Sequence, residues 1–172
     1  MKHLLRKLIK EAIKEISAEK PEKKNIYYVG VILDETSKED LRKKLEELYK
    51  AKVFNESWLR SKKGLHDHEQ LNHHMTIAAN SAEKSGFGNL GQEVTLYVTG
   101  FGIDENLGVA AWRVDSPIQV ESGVPHITAL IKGGVKPFLA GKIKEWKDIN
   151  PFTIEGTICE ALDNGETNPP IL

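Results

Sequence analysis

Two short phrases of the same design constrain the fold of this 172-residue chain more than any other feature. They are His74-Met75-Thr76-Ile77 and His126-Ile127-Thr128-Ala129, and each places one apolar residue between a histidine and a threonine. In a β-strand, residues two positions apart face the same side. Each phrase therefore predicts a strand that points one imidazole and one hydroxyl at the same spot. Two such strands side by side would form a pocket with two histidines and two hydroxyls.

This set of side chains suits general acid–base chemistry on a phosphodiester. One of His74 and His126 would take a proton while the other gives one. The hydroxyls of Thr76 and Thr128 would bind the phosphate oxygens. A single His-x-Thr phrase arises often by chance, so the prediction depends on the pair. We therefore interpret all four residues as catalytic and leave open which histidine is the base.

The composition narrows the class of ligand. A hydrophobic content of 40% with 28% charged residues is ordinary for a soluble globular protein. The 24 Lys and Arg residues are balanced by 25 Asp and Glu residues, which disfavours a long nucleic acid but allows a small nucleotide or an RNA end. With one cysteine, no membrane-length apolar run and no signal-peptide pattern, the sequence predicts a cytoplasmic protein without a membrane partner.

The periodicity of apolar residues divides the chain into three parts. The pattern of residues 1–24 predicts an amphipathic helix followed by a charged linker. Self-association is one role that this helix allows. Residues 25–162 alternate strands with fewer helices, which predicts one α+β domain. Its predicted strands are 26–33, 73–79, 93–103, 107–114, 125–131 and 152–161; its predicted helices begin at an N-cap at Ser37 and at Pro137. Residues 163–172 predict an irregular tail.

The two phrases resemble the signature of the 2H phosphoesterase superfamily over residues 26–161. The resemblance implies a single-domain bilobal fold of mostly antiparallel sheets, with flanking helices around a central groove. It implies that His74, Thr76, His126 and Thr128 line that groove and that catalysis needs no metal and no other cofactor. Only the short segment 115–125 lies before the second phrase. In this layout the chain most resembles the cyclic phosphodiesterase domain of fungal-type tRNA ligases and the phage anti-CBASS nucleases.

This resemblance leaves three functions open. The first is a metal-independent phosphodiesterase that hydrolyses a cyclic oligonucleotide signal, in the host cytoplasm if a phage encodes it. The second is a 2′,3′-cyclic phosphodiesterase that acts on RNA ends in RNA repair. The third is a non-catalytic nucleotide- or RNA-binding module, which the two titratable groups disfavour because binding alone does not require them.

Other residues give weaker predictions. Tyr28 and Trp58 are candidates for stacking on a base, and Glu155 for orienting a histidine or accepting a hydrogen bond from a base. His66-Asp67-His68 lacks the remaining ligands of a familiar metal site, so no metal is expected. Residues 86–91 fit Gly-x-Gly-x-x-Gly, but the predicted strand follows them instead of preceding them, so we predict a loop and no dinucleotide site.

Overall fold

The computed structural model describes residues 25–59, 71–79, 88–121 and 123–170. The predicted N-terminal helix and the His66-Asp67-His68 triplet lie outside these ranges. Within these ranges the α-helices are α1 (Glu35–Lys50) and α2 (Glu56–Leu59), and a 3₁₀ helix covers Pro137–Lys142. The strands are β1 (Ile26–Leu33), β2 (His74–Ala79), β3 (Glu93–Asp104), β4 (Val109–Asp115), β5 (His126–Ile131), β6 (Lys147–Leu162) and β7 (Thr167–Asn168).

The strands form one antiparallel sheet that closes on itself. Their order is β1-β2-β5-β4-β3-β6-β7, and an additional pairing of β1 with β6 closes the first six into a barrel. The 16-residue strand β6 makes this closure because it pairs with both β1 and β3. The α+β prediction is confirmed at this level, since the fold is mixed and mostly antiparallel with few helices.

Alternation along the strands separates an inner from an outer face. Met75, Trp112 and Ile127 are fully buried in the main apolar cluster, which fills the barrel. Their neighbours along each strand must point to the outer face. The middle residue of each His-x-Thr phrase thus fixes the strand in the core, and the histidine and threonine of the phrase are left on the outside.

Helix α1 packs against the barrel, with Leu41 fully buried, as the periodicity predicts. The predicted N-cap at Ser37 is wrong, because the helix begins three residues earlier than the cap implies. Asp34 is the N-cap, and its carboxylate accepts a hydrogen bond from the Ser37 backbone N–H at 2.7 Å. The Ser37 hydroxyl instead accepts a hydrogen bond from the backbone N–H of Glu155 at 2.8 Å and ties the helix to β6.

A second apolar cluster covers part of the outer face. Val109 and Ala111 of β4 pack there against Ala140 and Ile143, in and after the 3₁₀ helix. The predicted helix at Pro137 exists, but it is this short 3₁₀ helix, which ends at Lys142. It lies along β4 and borders the outer face of β5.

Two further differences concern the C-terminal part. Strand β6 begins at Lys147, five residues before the predicted start, because its first residues pair with Gly100 and Phe101 of β3. The predicted irregular tail contains the two-residue strand β7, whose Asn168 amide donates to the Glu160 carboxylate at 2.8 Å. None of the helices in the described ranges has the length and apolar character needed to cross a bilayer.

Candidate functional site

The sheet places the two His-x-Thr phrases on adjacent antiparallel strands. Met75 of β2 lies directly opposite Ile127 of β5. In an antiparallel pair, the flanking residues then come opposite each other in reversed order. His74 therefore lies beside Thr128, and Thr76 beside His126, all on the outer face. The structure thus brings the four residues together on one face of the sheet.

The two histidines occupy diagonal positions in this square of residues. Diagonal neighbours across an antiparallel pair are about 7–8 Å apart. After burial and His73, His126 is a further cause of the lowered pKa of His74, which agrees with this proximity. Two imidazoles at this spacing can contact opposite sides of one tetrahedral phosphate.

His74 has an apolar and strongly desolvated environment. The ring of Tyr28 stacks on its imidazole with centroids 4.5 Å apart and an angle of 20° between the planes. The residue keeps some accessible surface, but its Nδ1 is shielded and has no hydrogen-bond partner among the described residues. Burial, together with the nearby His73 and His126, lowers the pKa of His74 from 6.5 to about 3. His74 is therefore neutral at neutral pH.

His126 has a partner that defines its tautomer. Its Nδ1 lies 2.7 Å from the backbone carbonyl oxygen of Val124. A carbonyl only accepts, so Nδ1 carries the hydrogen and Nε2 is the ring nitrogen left to take up or release a proton. Burial lowers the pKa of His126 below 6.5, and the Val124 carbonyl partly offsets that effect because it stabilises the imidazolium.

Tyr28 can reach His74 because position 30 is glycine. A Cβ on Gly30 would lie 3.2 Å from the Tyr28 ring and 2.8 Å from the Met75 carbonyl oxygen. Burial raises the pKa of the Tyr28 hydroxyl, so the phenol stays neutral. Of the three weaker candidates from the sequence, Tyr28 is the one that the structure brings to the histidine pair.

The other two candidates, Trp58 and Glu155, lie elsewhere. Trp58 is 1% exposed, and its indole N–H donates to the Glu105 carboxylate at 2.9 Å, so it packs in the core and offers no face to a base. Glu155 is exposed on β6, next to Thr95 of β3, and makes no described contact with the four motif residues. Neither residue belongs to the site that the four motif residues form.

Asn72 is a residue of the site that the sequence reasoning missed. Its backbone N–H donates to the Thr128 carbonyl at 2.9 Å, and its side-chain oxygen accepts from the Trp112 indole N–H at 2.7 Å. It is 6% exposed and has a φ of 56°, which asparagine tolerates better than most residues. Asn72 therefore ties the start of β2 to β5, where the described ladder has the single pair of Met75 and Ile127.

A cation lies on the His126 side of the site. Arg113 is directly opposite His126 in the sheet, so both side chains leave the outer face. The Arg113 guanidinium extends away from β5, donates to the Thr99 hydroxyl at 3.2 Å and pairs with Asp148 at 2.6 Å.

The hydroxyls of Thr76 and Thr128 have no hydrogen-bond partner among the described residues, which leaves them available to a ligand.

No protein-family model matches the chain, and no curated protein is significantly similar to it in sequence. Within the described ranges, no group of three or more His, Cys, Asp and Glu side chains is placed to hold a metal ion.

Proposed function

We propose that the protein is a metal-independent phosphodiesterase that cleaves a nucleotide phosphodiester by paired-histidine acid–base catalysis. The observation that carries the proposal is the antiparallel pairing of Met75 with Ile127, which gathers two imidazoles and two hydroxyls on one face. Two titratable groups at this spacing serve a reaction that both removes and supplies a proton. A binding module would need neither.

The environments of the two histidines support different roles in the reaction. His126 has the backbone carbonyl that stabilises its charged form, so it enters the reaction protonated and gives its Nε2 proton to the leaving oxygen. His74, which lacks such a partner, enters neutral and takes the proton of the attacking water or ribose hydroxyl. Binding of an anionic phosphodiester raises both pKa values, which makes His74 a stronger base in the complex.

The threonines and Tyr28 complete the proposed site. The hydroxyls of Thr76 and Thr128 donate to the two non-bridging oxygens, whose charge the transition state must accommodate. The Tyr28 ring holds the plane of the His74 imidazole, because the two rings are stacked.

These features fit the resemblance to 2H phosphoesterases, which is part of the proposal. The bilobal arrangement of that superfamily stays a prediction here. A cyclic oligonucleotide is the substrate class that we propose, in keeping with the near-neutral charge of the chain. The 2′,3′-cyclic phosphate of an RNA end would use the same four residues and remains the alternative substrate.

A panel of substrates in EDTA tests this proposal. The protein is incubated with cyclic dinucleotides, 2′,3′-cyclic mononucleotides and short RNAs, and the products are identified by chromatography and mass spectrometry. We expect cleavage at an unchanged rate in EDTA, with cyclic dinucleotides cleaved fastest. If EDTA abolished cleavage and Zn²⁺ or Mn²⁺ restored it, the acid–base mechanism would be wrong and the site would have to include metal ligands.

The pH dependence of kcat/KM tests the assignment of the two roles. The reactive free protein has His126 protonated and His74 neutral, so kcat/KM should peak between the two pKa values. Because both values are below 6.5, we expect an acidic optimum and a decline as the pH rises through the pKa of His126. An optimum above pH 8 would contradict the assignment.

A further inference from the structure

The 3₁₀ helix beside the histidine pair carries an exposed aromatic ring. Phe138 is 66% exposed, the highest value among the five large apolar side chains that the described residues expose. The rest of the helix is anchored, since Ala140 is fully buried against β4 and Leu139 packs on the same cluster. Phe138 is thus an exposed ring on a helix whose other side is packed against the sheet.

The position of this ring relative to His126 follows from the geometry of the 3₁₀ helix. A Cβ added to Gly141 would lie 3.4 Å from Cε1 of His126, so this face of the helix is turned towards the imidazole. Residues three apart in a 3₁₀ helix are eclipsed and about 6 Å apart along the axis. Phe138 therefore lies on the same face as Gly141, one turn from the catalytic ring.

A second exposed apolar side chain lies on the same rim. Val124, whose carbonyl holds His126, is 36% exposed. A Cβ on the preceding Gly123 would lie 3.4 Å from the Gly141 carbonyl oxygen, so this segment runs against the 3₁₀ helix. Two of the five exposed large apolar side chains thus flank the proposed phosphate site, and both are on its His126 side.

We propose that Phe138 is the platform on which a nucleobase of the substrate stacks while its phosphate lies between the histidines. This inference rests on the proposed function and adds a requirement for a base. One helical turn is comparable with the distance from the phosphate to the base of one nucleotide. An exposed aromatic ring binds any base by its π-face, and Val124 adds an apolar edge. The site would therefore select nucleotides over phosphodiesters without a base, with little preference among bases.

Steady-state kinetics with 2′,3′-cyclic AMP and cyclic di-AMP test this platform. Phe138→Ala should raise KM about 5- to 100-fold, the usual effect of removing a stacking ring, and leave kcat within about twofold. Phe138→Tyr should restore the original KM. Tyr97→Ala is the matched control, because Tyr97 is an aromatic residue of β3 that is 50% exposed on the far side of β4, and its KM should not change.

A binding experiment separates this inference from the proposed function. In Phe138→Trp, titration with AMP should quench the indole fluorescence, whereas Tyr97→Trp should show no quenching. Quenching without turnover on any substrate would support the platform and reject the phosphodiesterase. An unchanged KM in Phe138→Ala together with no quenching in Phe138→Trp would overturn the platform. A change of oligomeric state in Phe138→Ala with unchanged nucleotide binding would also overturn it, because the ring would then be a protein contact.

Discussion

Replacement of either proposed catalytic histidine by alanine should lower kcat by about 10²–10⁴-fold, the usual contribution of a general acid or base. His74→Ala removes the proposed proton acceptor, and His126→Ala removes the proposed donor. The kcat of the double variant should be only slightly lower than that of the less active single variant, because the two groups act in one reaction. The measurement is kcat on the best substrate of the panel, with the fold of each variant checked by circular dichroism.

The neighbouring histidine provides a matched control. His73 is half-buried directly before β2, and its pKa is lowered by burial and by the charge of Lys38 of α1. His73→Ala should keep kcat within about fivefold.

Thr76→Ala and Thr128→Ala should lower kcat less than the histidine variants do, because each removes a hydrogen bond and no proton carrier. Full activity in either single variant of His74 or His126 would reject the assignment.

Loss of the Asn72 side chain should produce the second large effect. Asn72→Ala leaves the buried indole N–H of Trp112 without its acceptor and places alanine at a left-handed φ. The two penalties together should lower the free energy of unfolding by about 2–4 kcal/mol. Because the Asn72 side-chain amide also donates to the Ala129 carbonyl of β5 at 3.5 Å, its loss should let β5 shift relative to β2 and lower kcat by about tenfold to a hundredfold. Urea unfolding and kinetics of the folded variant measure the two effects.

Two further variants at position 72 separate the effect of the lost hydrogen bonds from the effect of the left-handed φ. Asn72→Gly accepts the left-handed φ and loses the same side-chain bonds, so it should be more stable than Asn72→Ala by about 1 kcal/mol. Asn72→Asp retains an acceptor for Trp112 and should be the most active of the three. If Asn72→Ala were as stable and as active as the unaltered protein, Asn72 would not hold the two strands together.

The sequence correctly predicted the helices and strands that depend on interactions between residues close together in the chain. The run Ile26–Leu33 is a strand with the predicted bounds, and the two His-x-Thr phrases are strands because their middle residues alternate with polar ones. The same alternation correctly predicted which side chains of each phrase face together. Leu41 at helical spacing likewise identified the buried side of α1.

The remaining features depend on contacts between distant parts of the chain. Closure of the barrel requires β6 to pair with both β1 and β3, which periodicity does not reveal. Trp58 was a reasonable stacking candidate by residue type, but only the fold shows its indole against Glu105. Asn72 gave one local signal, since an asparagine just before a strand often takes a left-handed φ, yet its bonds to β4 and β5 are tertiary. Phe138 was missed because exposure on a short helix has no sequence pattern.

The central claim is that His74 and His126 form one catalytic site, and it is tested most directly by separating binding from turnover. The unaltered protein and the His74→Gln/His126→Gln double variant are compared with the same cyclic dinucleotide in EDTA. Calorimetry on the double variant gives its affinity, and ³¹P NMR follows cleavage. Our account predicts that the double variant retains binding, while cleavage is seen with the unaltered protein alone. Equal turnover by both proteins, or binding by both with no cleavage of any nucleotide in the panel, would contradict it.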